Sequence, residues 1–242
     1  EVIAYGKCYV SIDEKNPKVM YGGENIGKFD VFIPRIASHM TEYGTSVVRQ
    51  LEAAYPRAFF MNRSIAIMRA RDKLRSTQIM AKYGGSIPKT VLAETKKAAK
   101  SVLQAFYLTN SDGTNVLLQE FIKESAGTDI RAFVVGSQVV ASMKRQSLDD
   151  DFRSNLHKGG LGEPIKLTSE EKRMAVRAAK AMGLTIAGVD LMRSARGPLV
   201  LEVNASPGFG IEKVTYRNVA GKIIDYLERN AKRGNKKDRI GA

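Results

Sequence analysis

The sequence predicts an α+β protein built around antiparallel sheet, and three observations carry that reading. The segment "DIRAFVVGSQVVASMKRQ" is two apolar-rich runs that meet at Gly136 and Ser137, the pattern of a β-hairpin. A second pair, "IAGVDLMR" and "GPLVLEVN", folds back through "SARG". Between the two pairs, "SEEKRMAVRAAKAMGL" switches to a 3.6-residue period, which predicts a helix with Ser169 as its cap and Glu170 and Glu171 in its first turn, where the helix dipole favours acids.

The remaining elements follow in chain order. Short apolar runs such as "VIAYG" and "FDVFIPRI", separated by "DEKNPK" and "GGENIGK", read as strands and turns. "YGTSVVRQLEAAY" sets Val47, Val48, Leu51 and Ala54 at helical spacing until Pro56 stops it, which makes a βα unit with the preceding run. "SIAIMRARDKLRSTQIMAKYGG" predicts one helix, with Leu74, Ile79 and Met80 on an apolar stripe and Gly84 and Gly85 as its stop. "SIPKTVLA" reads as a strand, "TKKAAKSVLQAFYL" as a helix capped by Thr95, and "NVLLQEFI" as a strand. "VAGKIIDYLERNAKR" closes the chain as a helix and leads into a basic tail, "RGNKKDRIGA".

Composition narrows the function classes. Of 242 residues, 43% are hydrophobic and 26% charged, and no stretch approaches the ~20 continuous apolar residues of a membrane-spanning helix. The net charge of +14 predicts acidic partners, with ribosome or RNA proximity among them. One cysteine, Cys8, forms no intramolecular disulfide, and no charged-then-apolar leader is recognisable, so the expected compartment is the cytoplasm. Two histidines and no CxxC leave no zinc site of the usual kind, so a bound metal would take oxygen ligands.

The oxygen ligands are found in "GVDLMRSARGPLVLEVNASPG". Strand alternation sends Leu201 and Val203 to a core, and Glu202 and Asn204 to the other face. Folding back through "SARG" sets Asp190 opposite Leu201 or Glu202. Two carboxylates and an amide carbonyl match what Mg²⁺ accepts alongside waters and substrate phosphates, although a solvated surface hairpin carries the same alternation. "DFRSNLHKGG" adds Arg153, Ser154 and Asn155, a cationic and amide set suited to phosphate. "RARDKLR" adds Lys73 at a helix start beside Arg69, Arg71 and Arg75. "LLQEFIKESAGTDIR" ends a strand at Glu120 and Phe121, where backbone groups suit an adenine edge and Asp129 a ribose.

Together and in this order, "FDVFIPRI", "ARDKLR", "QEFIKE", "DIRAFVVG", "DFRSNLHKGG", "AGVDLMR", "GPLVLEVNASPG" and "GIEK" resemble the ATP-grasp superfamily and, within it, the RimK-type ribosomal-protein glutamate ligases. The resemblance implies an ATP-grasp fold, two α+β subdomains clamping ATP, preceded by an incomplete α/β N-terminal domain. The implied boundaries are 1–62 for the pre-ATP-grasp domain, 63–118 for the first subdomain and 119–242 for the second. It implies Asp190, Glu202 and Asn204 as ligands of Mg²⁺ or Mn²⁺, with two ions, and Lys73, Glu120, Phe121, Asp129, Arg153, Ser154 and Asn155 around ATP. Arg145, Arg153 and Asn155 then face the reacting centre, and Ser206 and Gly208 lie in the loop beside the amino-acid substrate.

The implied activity is ATP-dependent addition of L-glutamate to the acidic C-terminal tail of a small-subunit ribosomal protein, or synthesis of short poly-α-glutamate, by a homo-oligomer such as a tetramer. The alternatives are a ligase acting on a cofactor or an amino-acid carrier protein, and a non-catalytic ribosome- or RNA-binding relative. Substituting Asp190→Asn or Glu202→Gln is expected to abolish ATP use with the fold intact. The chain departs from the family pattern in three places. The first βα unit is absent, "SPGFGIEK" is one residue short, and roughly thirty residues carrying a second lysine and a mobile Gly-rich lid are absent after "SIPKT".

Overall fold

The computed structural model describes residues 1–13, 16–93, 106–109, 116–147 and 161–233. The N-terminal part opens with three antiparallel strands, β1 (Cys8–Ser11), β2 (Lys18–Tyr21) and β3 (Glu24–Asn25). A parallel pair follows, β4 (Val31–Phe32) and β5 (Phe59–Phe60), joined through helix α1 (Thr41–Ala54). This is the βα unit read from the sequence, and its helix buries Val47 and Val48 as the spacing requires. "VIAYG", by contrast, is no strand: Tyr5–Lys7 make a 3₁₀ turn before β1.

The single helix expected over "SIAIMRARDKLRSTQIMAKYGG" is broken. α2 (Ser64–Arg71) ends at Asp72, whose backbone is extended, and α3 (Lys73–Ile79) begins on the next residue. Asp72 accepts a hydrogen bond from the Arg75 backbone N–H, so it caps the second helix instead of continuing the first. A π-helical turn, Met80–Gly84, ends the segment.

Strands β6 (Thr90–Ala93), β7 (Phe106–Thr109) and β8 (Val116–Glu120) form an antiparallel sheet in the order β6-β8-β7. Most of the helix expected over "TKKAAKSVLQAFYL" lies outside the described residues, and its last three residues, "FYL", belong to β7, where pairing with β8 overrides local propensity.

The largest sheet runs β11-β10-β9-β12-β13 and is antiparallel throughout. It comprises β9 (Thr128–Val135), β10 (Gln138–Gln146), β11 (Leu161–Pro164), β12 (Ile186–Ser194) and β13 (Gly197–Asn204). The hairpins at Gly136 and through "SARG" both form as the sequence predicts. Gly136 has φ +61°, and a Cβ there would overlap the Tyr226 ring.

One face of this sheet, carrying Ala132, Val134, Val189, Leu191, Val200 and Val203, packs on α4 (Ser169–Met182). The other, carrying Phe133, Val135, Ala141, Met143 and Ile186, packs on α5 (Gly210–Thr215) and α6 (Val219–Asn230). The cap of α4 is Thr168, one residue before the expected Ser169. Its hydroxyl accepts from the Glu171 N–H, while the Glu171 carboxylate accepts from the Thr168 N–H. Only at that spacing does the glutamate fall on the third helical position and close the reciprocal pair.

Candidate active site

Four adjacent strands carry a row of charged side chains at one end of the sheet face that packs on α5 and α6. The register sets Arg145 of β10 opposite Asp129 of β9, Arg131 of β9 opposite Asp190 of β12, and Asp190 opposite Glu202 of β13. Gly188 faces Asn204. Of the two registers open to Asp190, the structure has the Glu202 pairing. It is fixed by a β-bulge: Leu191 pairs with Val200 and Asp190 with Glu202, so Leu201 is the extra residue. Strict alternation therefore fails at Leu201, which is only partly buried, and Val200 joins Val203 in the core in its place.

Asp190 is 4% exposed and accepts from two guanidinium groups. Arg131 donates through Nε and, at 2.7 Å, through Nη2, while Nη2 of Arg145 approaches to 3.0 Å. Burial alone would push the Asp190 carboxyl upward, but the charges of Arg131 and then Arg145 outweigh it and hold it below the usual carboxylate range. Glu202 is tuned the other way. Burial first, and then the negative charge of Asp190 opposite, push its carboxyl above the ordinary range, against weaker pulls from Lys73, Arg131 and Asn204. Like charges directly opposite on a sheet are destabilising, and this pair therefore lacks positive charge on the Glu202 side.

That shortage is what a divalent cation would relieve. Asp190, Glu202 and the Asn204 amide carry oxygen donors of the class Mg²⁺ takes, and Asn204 is beside Asp190, to which its Nδ2 donates at 3.4 Å. The donor set fits such an ion. Among the described residues no group of three or more His, Cys, Asp or Glu side chains gathers as a metal site, so the expected set depends on the Asn204 amide as its third ligand.

Around the row, the expected nucleotide residues are only partly brought together. Lys73 is the first residue of α3 and exposed, with its charge felt at Glu202. Arg145 is 6% exposed, donating to Asp129 through Nε at 2.6 Å and again through Nη2, and the carboxylates of Asp190 and Asp129 hold its pKa above the ordinary value against burial. Its Nη1 makes no hydrogen bond among the described residues. Asp129 differs from the expectation of a ribose ligand: it is 5% exposed, and both its carboxylate oxygens accept from Arg145, directly opposite in the register. The Glu120 carboxylate makes a bidentate pair with Arg196 and accepts from the Lys89 N–H, which lower its pKa to about 2, while the expected adenine contact concerns its backbone. Phe121 is next to it, half-buried. Arg153, Ser154 and Asn155 lie outside the described residues.

The loop Ala205–Phe209 leaves β13 directly after Asn204 and contains Ser206 and Gly208. The N-terminal part holds it in place. Asn62, 2% exposed, donates to the carbonyls of Ile186 and Ala205 at 2.8 and 2.9 Å, and its carbonyl accepts from the N–H groups of Thr185 and Ile186. The Ser206 hydroxyl accepts from the Ile36 N–H at 3.2 Å. Arg131, Asn62 and Arg35 are the residues the sequence reading missed. Of these only Arg131 had a local signal, since it shares a strand face with Asp129 two residues before it.

Comparison with known proteins identifies the family. The family described as "RimK PreATP-grasp domain" matches residues 1–67, and "RimK-like ATP-grasp domain" matches residues 85–227. A probable alpha-L-glutamate ligase of Picosynechococcus sp. is 49% identical, covering 99% of this chain and 90% of the relative. One of Marinobacter nauticus is 47% identical, covering 93% of this chain and 85% of the relative. The first alignment runs to 275 positions for a chain of 242 residues, so that relative carries residues with no counterpart here.

Among solved structures, the ATP-grasp ligase PsnB complexed with minimal precursor superposes with a TM-score of 0.69 at 20% identity, covering 92% of this chain and 86% of that one. D-alanine–D-alanine ligase from Bacillus anthracis complexed with ATP gives 0.59 at 17% identity, covering 79% and 76%. These show the fold to be ATP-grasp. With matches over both the N-terminal part and the sheet that bears the charged row, the chain belongs to the RimK-like ATP-grasp family.

Proposed function

We propose that this protein is an ATP-dependent carboxylate–amine ligase that adds L-glutamate to a carboxylate acceptor, the acceptor being the acidic C-terminal tail of a ribosomal protein. The observation that carries the reading is the charged row, in which burial and then the negative charge of Asp190 opposite push the carboxyl of half-buried Glu202 upward against weaker pulls from Lys73 and Arg131. The similarity to probable alpha-L-glutamate ligases supports the amino acid, and that to PsnB complexed with Mg and ADP supports the nucleotide and metal. A divalent ion, Mg²⁺ or Mn²⁺, held by Asp190, Glu202 and Asn204 would neutralise the phosphates of ATP and polarise the transferring group.

The chain's own groups do the rest by position and charge. Lys73 and the Nη1 edge of Arg145 supply fixed positive charge where negative charge moves from the γ-phosphate to the ADP leaving group. Asp129 and Asp190 hold the Arg145 guanidinium, so it needs no reorientation in the reaction. The acceptor carboxylate attacks the γ-phosphorus, giving an acyl phosphate and ADP. The glutamate amine attacks the acyl carbon, phosphate leaves and an amide bond forms. No side-chain nucleophile is needed; Cys8 is buried in β1, among residues of the N-terminal strands and α1.

ADP release with Mg²⁺, ATP and each amino acid, with and without a ribosomal-protein tail peptide, tests the proposal. Glutamate-dependent release that rises with the peptide supports it, and release indifferent to the amino acid overturns it. Ribosome or RNA proximity has its own observation: a groove of about 860 Å³ on the α4 side of the large sheet is lined by Lys172, Arg173, Arg177 and Lys180 beside Tyr83. Cytoplasmic location and a homotetramer belong to the same proposal; among the described residues no helix is long and apolar enough to cross a membrane.

A further inference from the structure

Resting on the glutamate-ligase reading, we infer that Arg35 is a carboxylate-recognition site for the incoming amino acid, supplied by the N-terminal part to the loop that follows the metal-ligand strand. Arg35 is exposed, yet it is held in place. Its Nη2 donates to the Pro207 carbonyl at 2.7 Å, its guanidinium carbon lies 4.5 Å from the centre of the Phe209 ring, and the next residue, Ile36, donates its N–H to Ser206. Among the described residues no carboxylate pairs with it. An ordinary surface arginine is neither stacked nor anchored at its neighbour, and side-chain entropy keeps it loose.

The position links Arg35 to the charged row. Pro207, whose carbonyl Arg35 holds, is buried against Gly188: a Cβ built on Gly188 would come within 2.8 Å of the Pro207 ring and 3.2 Å of Arg131. Gly188 pairs with Asn204, and Arg131 binds Asp190. Arg35 therefore stands one residue's width from the row, across the loop with Ser206 and Gly208. In the proposed reaction Lys73 and Arg145 serve the nucleotide, while glutamate brings two carboxylates, neither of which reacts and one of which Arg35 would bind. A planar guanidinium with four N–H groups left to donate, fixed by stacking, matches a carboxylate bidentately in a way a lysine does not.

The test uses the whole chain with Arg35→Gln and Arg35→Lys, reading KM for glutamate, KM for ATP and melting temperature. Arg35→Gln should raise KM for glutamate about ten- to a hundredfold with KM for ATP unchanged and the melting temperature lowered by only a few degrees, from loss of the Pro207 and Phe209 contacts, and Arg35→Lys should recover only part of the loss in KM. Glutamine as alternative substrate separates the two carboxylates. A rise for glutamate alone assigns Arg35 to the side-chain carboxylate, and an equal rise for both assigns it to the α-carboxylate. An unchanged KM for glutamate, or a rise confined to ATP or the acceptor peptide, overturns the inference. If the wild-type chain shows no glutamate-dependent ADP release at all, it is the ligase reading that fails.

Discussion

Replacing Asp190 and replacing Glu202 should have opposite effects on stability, although both positions are expected to hold the same metal. Asp190→Asn removes the negative charge that Arg131 and Arg145 share in a site 4% exposed. Breaking a buried pair costs about 3–5 kcal/mol because a charge is left unpaired. Arg145 keeps Asp129, and the Arg131 side chain is 16% exposed, so the lower end applies, about 3 kcal/mol. At about 2–4 °C per kcal/mol for a chain of this size, the metal-free protein should melt about 6–12 °C lower. Glu202→Gln removes a carboxylate that opposes another and that burial already disfavours, so the metal-free protein should melt at the same temperature or up to a few degrees higher.

Calorimetric melting with and without Mg²⁺ and ADP measures both effects. Ligand should raise the wild-type midpoint, by about 2.7 kcal/mol at a hundredfold excess over Kd, and neither variant's. Equal midpoints for the two variants without ligand would refute the assignment of Asp190 as the anion of the row.

Four further outcomes follow from other parts of the structure. Asn62→Ala should cost about 2–4 kcal/mol by stranding four backbone groups, and it should raise KM for glutamate through the displaced Ala205–Phe209 loop; urea unfolding and kinetics check the two parts. Gly136→Ala should cost about 2–5 kcal/mol, from a left-handed backbone and overlap with the Tyr226 ring, and a loss below 1 kcal/mol in the same titration contradicts this. Glu120 has its pKa lowered to about 2 by Arg196 and the Lys89 N–H, so its stabilising share is present above the ordinary carboxylate range and fades as pH falls from about 4.5 towards 2; Glu120→Gln should flatten that part of the stability–pH curve. Should the protein be without the second lysine and lid of its family's pattern, it will release ADP at least about a hundredfold more slowly than the Picosynechococcus relative in parallel assays, and an equal kcat removes that argument.

What the sequence made legible depended on distance along the chain. The hairpin through "SARG" is local, so Asp190 could be brought to within one residue of its partner from alternation and turn length alone. The bulge at Leu201 could not be read, because a bulge depends on how the extra residue packs and leaves no mark in the alternation before it. The break at Asp72 had a mark, an aspartate three residues before Arg75, but the apolar stripe on both sides outweighed it. In "FYL" the helical period continued into residues that β8 claims as a strand. Asn62 and Arg35 lay out of reach altogether. Their partners are 143 and 172 residues away, and no periodicity links them.

The charged row also shows why its residues divide into two kinds. Across β10, β9, β12 and β13 the signs run Arg145, Asp129 with Arg131, Asp190, Glu202, so each charge but the last has an opposite neighbour. The first part of the row is closed: Asp129, Arg145, Arg131 and Asp190 satisfy one another and make a rigid, buried unit. The series ends at Glu202, where two carboxylates meet and where Lys73 reaches in from α3. A cation bound there, as proposed, would complete the alternation. A site with this order holds its donors in place before the ligand arrives, which is the condition under which fixed charges stabilise a transition state without reorganising.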